Sequence, residues 1–401
     1  MITIDVDKQL SIEPGGTLFR MGFRAFFMAA GLLAVFGMAI WMGVAVFAMP
    51  LLPVNVSPSF WHAHEMIYGY GLAVVAGFLL TAVRNWTGIQ TLHGRPLQAL
   101  LLVWVLARLA PFVPGEMAML AGALCDGLFI VGLSIALTVP VVQAKLWKNM
   151  AVVSKLYFFL PGQVFYSLDQ FGWFADGQRI GLYIGLYMIL SLLLVLSRRV
   201  IPMFIERGVG GGIALHNNGR VDLACFVLFL VFAVTDIFFT APILNSVLAA
   251  VLVLLHTVRL KGWYHRGVWG KPLLWGLYLA YAWVAVGFGL KCAVALFGIS
   301  PSLATHAFAV GGVGMMTLAM MARISLGHTG RNIQQPPIGV GLMCGMLMLG
   351  VFVRVVLPLV LVDHYLVLVA VSQGLWIAAF LLFLYRYMPI LIKPRIDGRE
   401  G

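Results

Sequence analysis

The run WHAHEMIYGYGLAVVAGFLLTAV (61–83) decides how this chain is to be read. Its 23 residues suffice for a helix to cross a hydrocarbon core, and Glu65 is their only formal charge. Yet it opens on His62 and His64. Imidazoles are rare in such a setting, because each polar side chain in lipid costs free energy that something must recover. A spanning segment that begins with two histidines points to haem or metal chemistry rather than to plain transport.

The rest of the chain agrees with a lipid environment. Of 401 residues, 62% are hydrophobic and only 10% charged, and the mean hydropathy is +1.00. No soluble domain buries that much apolar surface. Apolar runs of spanning length fall near 22–49, 61–83, 96–114, 117–139, 152–171, 179–197, 221–239, 242–259, 272–298, 303–324, 337–361 and 363–388. The expected fold is an all-α polytopic bundle of about twelve transmembrane helices, one integral membrane domain over 1–401. The first run is too long for a signal-peptide core, and residues 1–20 read as a short cytoplasmic tail.

A net charge of +12 suggests nucleic acid at first sight, but topology explains it better. With the N-terminus inside, 22 of the 26 Lys and Arg residues fall at inner helix ends or inner connections, among them Lys8, Arg84, Lys145, Arg199, Arg331 and Arg395. Outer connections hold only Arg179. This positive-inside bias places both termini in the cytoplasm and leaves no nucleic-acid partner to expect. Cys125, Cys225, Cys292 and Cys344 sit singly in different segments, with no CxxC, and read as small buried hydrophobes.

That orientation turns scattered polar residues into a map. His62, His64 and Glu65 open the second segment at the outer face, His306 opens the tenth and His364 the twelfth. Four of nine histidines thus share one membrane level. Arg108, Lys291 and Arg354 lie late in outward-going segments, with Asp236 and Asp363 at similar depth. Buried cations need anions. Either Lys291 or Arg354 pairs with one of those aspartates, or Arg108, Lys291 and Arg354 neutralise haem propionates. Residues two apart on a helix diverge by about 200°, so His62 and His64 cannot easily serve one face of one planar cofactor. Gly69 and Gly71 beneath them leave room for a macrocycle or for a close neighbouring helix. His328, in the GHTG turn after the tenth segment, suits a helix-end cap or a contact to phosphate or propionate.

The second and tenth segments echo one another. In SPSFWHAHEMIYGYG (57–71) and SPSLATHAFAVGGVG (300–314), setting His64 on His306 without gaps puts Gly69 on Gly311, with the preceding Ser-Pro-Ser offset by one residue. The spacing of eight segments suggests repeats of four helices. The catalytic subunit of haem–copper oxidases is a parallel at the level of architecture: twelve helices, with haem-ligating histidines on helices 2 and 10 in the outer half of the membrane. This chain lacks the copper ligands those enzymes carry on helices 6 and 7, so the parallel is one of fold alone.

WHAHEM (61–66), AGFLLTAVRNWTG (76–88), RVIPMF (199–204) and HAFAVGGVGMMTLAMMARISLGHTG (306–330) resemble the NnrS family in order and spacing, across nearly the whole chain. One departure is Arg84, where many members have proline; it lies at the inner helix end. The resemblance implies a polytopic protein of the bacterial inner membrane that contains haem and copper and is tied to denitrification and nitrosative stress. Taken with the map, it makes His64 and His306 the expected axial ligands of a b-type haem, and Arg108, Lys291 and Arg354 its propionate partners. His62 and His364 are left for copper or a second haem, with His62, His64, His306 and His364 as the metal-binding set. Glu65 and Tyr68 are candidate proton donors, and Met66, Met315, Met316 and Met320 offer thioethers.

Three functions compete on this reading. A redox protein would bind nitric oxide at the outer face and sequester or reduce it, drawing on an electron donor of unknown nature. A twelve-helix transporter would fit the helix count, though carriers place substrate groups near the midplane. A haem-binding sensor or accessory protein would share the spectrum of the first without turnover.

Overall fold

The computed structural model describes residues 16–53, 56–239 and 241–398, and within these every regular element is helical. The first fifteen residues of the expected tail therefore lie outside the description, while Thr17–Phe19 form a single 3₁₀ turn. Among the described residues, eleven helices are long and apolar enough to cross a membrane. They are α1 (Gly22–Ala45), α2 (Pro58–Thr87), α3 (Gly94–Phe112), α4 (Glu116–Gln143), α6 (Gly177–Val209), α7 (Gly219–Phe238), α8 (Pro242–Gly262), α9 (Pro272–Phe297), α10 (Pro301–His328), α11 (Val340–Leu359) and α12 (Val362–Ile392). A twelfth, α5 (147–170), stands where the run 152–171 predicts a span. It carries Lys148, Asn149, Lys155 and Gln163, which lowers its hydropathy below that of the others. It narrows to 3₁₀ form at Ser154–Phe158, just before Pro161, whose missing N–H cannot bond the Tyr157 carbonyl.

Local sequence sets the helix boundaries. α2 and α10 both begin at Ser-Pro, the proline filling a first-turn position that has no intrahelical bond to lose. α2 ends on Gly88, whose φ of 70° places it in the left-handed region. Asn218 caps α7 by accepting from the N–H groups of Arg220 and Val221. Asp169 at the end of α5 accepts from the N–H of Gln178 at the start of α6, so it is spent on the backbone rather than on a buried cation.

Burial separates a centre from a rim. In their most apolar stretches α2, α10 and α6 are 83%, 78% and 67% buried by protein, whereas no other span exceeds 50%. The central helices are four apart in the chain, as the sequence echo suggests. Rim helices turn large apolar side chains outward, Ile243, Phe297 and Leu128 among them, where the solvent is lipid. The resulting architecture is that of a multi-pass membrane protein.

One buried cation ties the two ends of the chain together. Arg24, fully buried near the start of α1, donates from Nη1 to the carbonyls of Leu391 (2.7 Å) and Lys393 (2.8 Å) at the end of α12. Helix C-termini leave carbonyls without intrahelical donors, and a guanidinium satisfies both their hydrogen bonding and their partial charge. Arg395 then donates to the His328 carbonyl at the end of α10 (2.8 Å). The entry of α1 and the exits of α10 and α12 therefore share one face, as the charge bias requires. Replacing Arg24 with Leu should lower the stability of the solubilised protein by about 3 kcal/mol, the worth of charge-assisted hydrogen bonds to buried acceptors. Thermal unfolding in detergent checks this, and an unchanged midpoint would contradict the capping role.

Candidate functional site

The histidines of α2 face opposite ways, as their spacing dictates. His62 stacks on Trp41 of α1, ring centroids 4.7 Å apart and planes within 5°. His64 points toward α4 and α5, where Nε2 meets Gln163 Oε1 at 2.8 Å and the ring stacks between Tyr68 and Tyr166. The structure brings His62, not His64, into one cavity with His306.

That cavity, of about 410 Å³, lies between α1, α2, α6, α10, α11 and α12. Ligand pockets usually occupy roughly 300–1,000 Å³. Its polar wall includes His62, Ser302, His306, Arg354 and Gln373, and its apolar wall includes Trp41, Trp376, Ile189, Val313 and Val369. His306 Nδ1 lies 2.7 Å from the Ser302 carbonyl, which can only accept, so Nδ1 carries the proton and Nε2 keeps its lone pair. Arg354 Nη2 donates to Ser302 Oγ at 3.1 Å and lies 3.4 Å from His306 Nε2. Several buried polar atoms on this wall have no partner: His62 Nδ1, Arg354 Nη1, and both Nε2 and Oε1 of Gln373. Native interiors rarely leave such groups unpaired without a functional reason.

Backbone irregularity converges here. Three stretches of π-helix occur among the described residues, at Glu65–Gly71, Ala307–Gly314 and Phe352–Val356. Each contributes to the cavity wall: Met66, Ile67 and Tyr70 from the first, Ala309, Val310 and Val313 from the second, Arg354 from the third. The first two begin directly after His64 and His306, so the sequence echo has a backbone counterpart. The third precedes Pro358, which has no N–H to offer the Arg354 carbonyl. A π-turn re-aims the side chains around it, and such turns concentrate at functional sites. Gly69 and Gly311, aligned in the echo, serve close packing. A Cβ on Gly69 would fall 2.7 Å from Leu33 Cδ2, and one on Gly311 2.6 Å from Trp283 Cγ. Side chains of neighbouring helices, rather than a macrocycle, occupy the space these glycines leave.

The three candidate propionate partners separate by charge balance. Arg108 is buried between Glu65, at 3.1 Å, and Asp126. Lys291 is paired with Asp236 at 2.7 Å, as one of the two expected pairings has it. Arg354 has no carboxylate among the described residues; Ser302, His306 and the ring of Tyr365 surround it, and Asp363 is exposed. Arg354 alone of the three lines the cavity.

The remaining candidates lie elsewhere. Glu65 is held by Arg108 and His64, and the Tyr68 hydroxyl donates to the Gly181 carbonyl at 2.7 Å, so both face away from the cavity. His364 is exposed in the 3₁₀ turn that opens α12, one residue from the cavity-lining Tyr365. Met66 lines the cavity together with Met38, whereas Met315, Met316 and Met320 do not. Among the described residues no three His, Cys, Asp or Glu side chains gather as a metal site. Sequence reasoning missed Trp41, on a helix without a histidine, and Gln373, nine residues beyond His364 on α12. The repeated Ser-Pro-Ser did offer a signal for Ser302.

Fold and cavity together define a polytopic helical membrane protein with a buried imidazole and guanidinium pocket near one end of its central helices. The NnrS family model, described as NnrS protein, matches residues 17–395, and the chain belongs to that family. Membership places it among membrane proteins related to nitric oxide. No curated protein sequence matches it.

The charge balance generates a test. Arg108→Leu removes the guanidinium shared by two buried carboxylates, leaving them only their longer contacts to His64, and should destabilise by about 3–5 kcal/mol. Arg354→Gln, which strands no carboxylate, should leave thermal stability near that of the unaltered protein. If both substitutions destabilise equally, Arg354 is a structural cation and the distinction fails.

Proposed function

We propose that this protein binds haem in the cavity between α2, α10 and α11 and takes up nitric oxide there. The observation that carries the reading is the meeting of two imidazoles with a buried, carboxylate-free arginine in one apolar-walled cavity. The donor set fits the group: nitrogen ligands for iron, a cation for a propionate, and aromatic and aliphatic walls for the macrocycle. When bound, haem supplies an iron centre to which nitric oxide can coordinate.

The chain's own residues differ in what they can do there. His306 is fixed, its Nδ1–H donated to the Ser302 carbonyl; its Nε2 lone pair faces Arg354 Nη2 at 3.4 Å and would ligate once Arg354 turns to a propionate. His62 has no such anchor, since Nδ1 is unpartnered and only the stack on Trp41 orients the ring. Of the two imidazoles that would hold the group, His62 would therefore be the more loosely fixed. Arg354 would balance a propionate beside His306, and Gln373 offers an amide donor to whatever enters. Glu65 and Tyr68 are turned away, so the reading is one of binding, with reduction left to groups and electrons from elsewhere. On the positive-inside bias the cavity lies toward the outer face of the membrane, which on this reading is a bacterial inner membrane.

A second reading replaces haem with copper. Met38 and Met66 line the same cavity as the two histidines, and thioether with imidazole suits Cu(I). Arg354 favours haem, because a cation beside a bare metal ion is repelled. Transport is less favoured, since the polar groups gather toward one end of the central helices rather than at their middle.

Haem and metal content of the purified protein decides among these. His306→Ala should lose nearly all its haem. His62→Ala should keep it but change from a six-coordinate to a five-coordinate spectrum that shifts on adding nitric oxide. His64→Ala should match the unaltered protein in occupancy and spectrum. Copper without haem would establish the second reading, and loss of haem from His64→Ala equal to that from His306→Ala would overturn the assignment.

A further inference from the structure

Two sequence motifs and the end of a third lie outside the histidine cavity, and they meet at the other end of the bundle. AGFLLTAVRNWTG contributes Phe78, Asn85 and Trp86, RVIPMF contributes Arg199, Met203 and Phe204, and the end of the third motif contributes Ile324 and His328. These line a cavity of about 360 Å³ between α2, α6 and α10, with Leu196, Val200 and Met320 completing an apolar wall. Phe204, Ile324 and His328 also border a second cavity of about 580 Å³, lined by Arg207, Arg323, Arg331 and Gln334. A basic chamber thus adjoins an apolar one, on the face shared by both termini.

The charge in the basic chamber is uncompensated. Arg323 is only 8% exposed, and its guanidinium lies 3.8 Å from the Phe204 ring centroid. Among the described residues no carboxylate pairs with Arg323, Arg207 or Arg331. Arg331 has only a 3.4 Å contact to the Thr329 carbonyl. The carboxylate of Asp397, which packs against Gly330, is taken by Arg395 at 2.6 Å, and Glu206 accepts from the Leu215 N–H. No acidic side chain lines either chamber. A buried guanidinium without an anion is expensive in a lipid-embedded bundle. Arginine's planar fork matches phosphate oxygens in particular.

We propose that this paired cavity binds a phosphate-bearing anion, with Arg323 and Arg331 holding the phosphate and the α2/α6/α10 chamber holding an attached apolar chain. An anionic phospholipid of the cytoplasmic leaflet has that chemistry, and basic pockets between transmembrane helices on that side recognise such headgroups. The site is separate from the histidine cavity and does not depend on what binds there.

Thermal unfolding of the delipidated full-length protein in detergent tests this, with phosphatidylglycerol, phosphatidylcholine or inorganic phosphate added. Phosphatidylglycerol should raise the midpoint, and phosphatidylcholine should not. Arg323→Gln should remove that increment while leaving the lipid-free midpoint at or above that of the unaltered protein, since it deletes an unpaired buried charge. Arg331→Gln, at the chamber's rim, should weaken the apparent affinity for phosphatidylglycerol roughly tenfold. If inorganic phosphate reproduces the increment in the unaltered protein and not in Arg323→Gln, the site stands and its ligand is a free phosphate compound. Equal stabilisation by both lipids, or a full increment retained by Arg323→Gln, overturns the proposal.

Discussion

Charge compensation in a medium that cannot solvate ions is the constraint on which this structure depends. Inside the bundle a cation persists only beside something that balances it, and most have it. Arg108 lies between Glu65 and Asp126, Arg259 against Asp222, and Lys291 on Asp236. Arg24 closes the bundle by donating to the terminal carbonyls of α12. Two arginines depart from the pattern, Arg354 beside the histidines and Arg323 at the opposite end. The same rule that explains the paired cations as structure makes the unpaired ones the places to look for ligands.

Helix geometry shapes the cavity as much as charge does. Straight α-helices would continue the burial pattern of α2, α10 and α11 without interruption. Instead each widens to π form beside the cavity, and the residues so displaced form its wall. In α11 the cause is explicit, for Pro358 denies the Arg354 carbonyl its partner. In α2 and α10 the glycines that follow the histidines let Leu33 and Trp283 pack closely. A tightly packed surround thus encloses an open cavity, an arrangement suited to holding a rigid flat group.

Much of this was legible in the sequence, and the limits have physical causes. Twelve apolar runs foretold twelve helices, because lipid admits few alternatives for a spanning chain. The positive-inside count foretold that both termini share a face. The echo between α2 and α10 was real enough to reappear as matched π-turns. The expectation that His64 partners His306 came from aligning residues along two helices, and alignment carries no rotational information. One hundred degrees per residue separates His62 from its neighbours, and the faces of α4 and α5 that receive His64 bear Asp126 and Gln163, which no periodicity reveals. Likewise Arg108, Lys291 and Arg354 were equivalent in the sequence, and only the positions of their carboxylates separated them.

The account's central claim is that His62 and His306 share one cofactor cavity from which His64 is excluded. A cryo-electron microscopy map of the protein purified from haem-replete cells tests this most directly. The expected result is planar density between His62 and His306, with one edge against Arg354. Density ligated by His64, or a cavity without density in a preparation that retains haem, would contradict it.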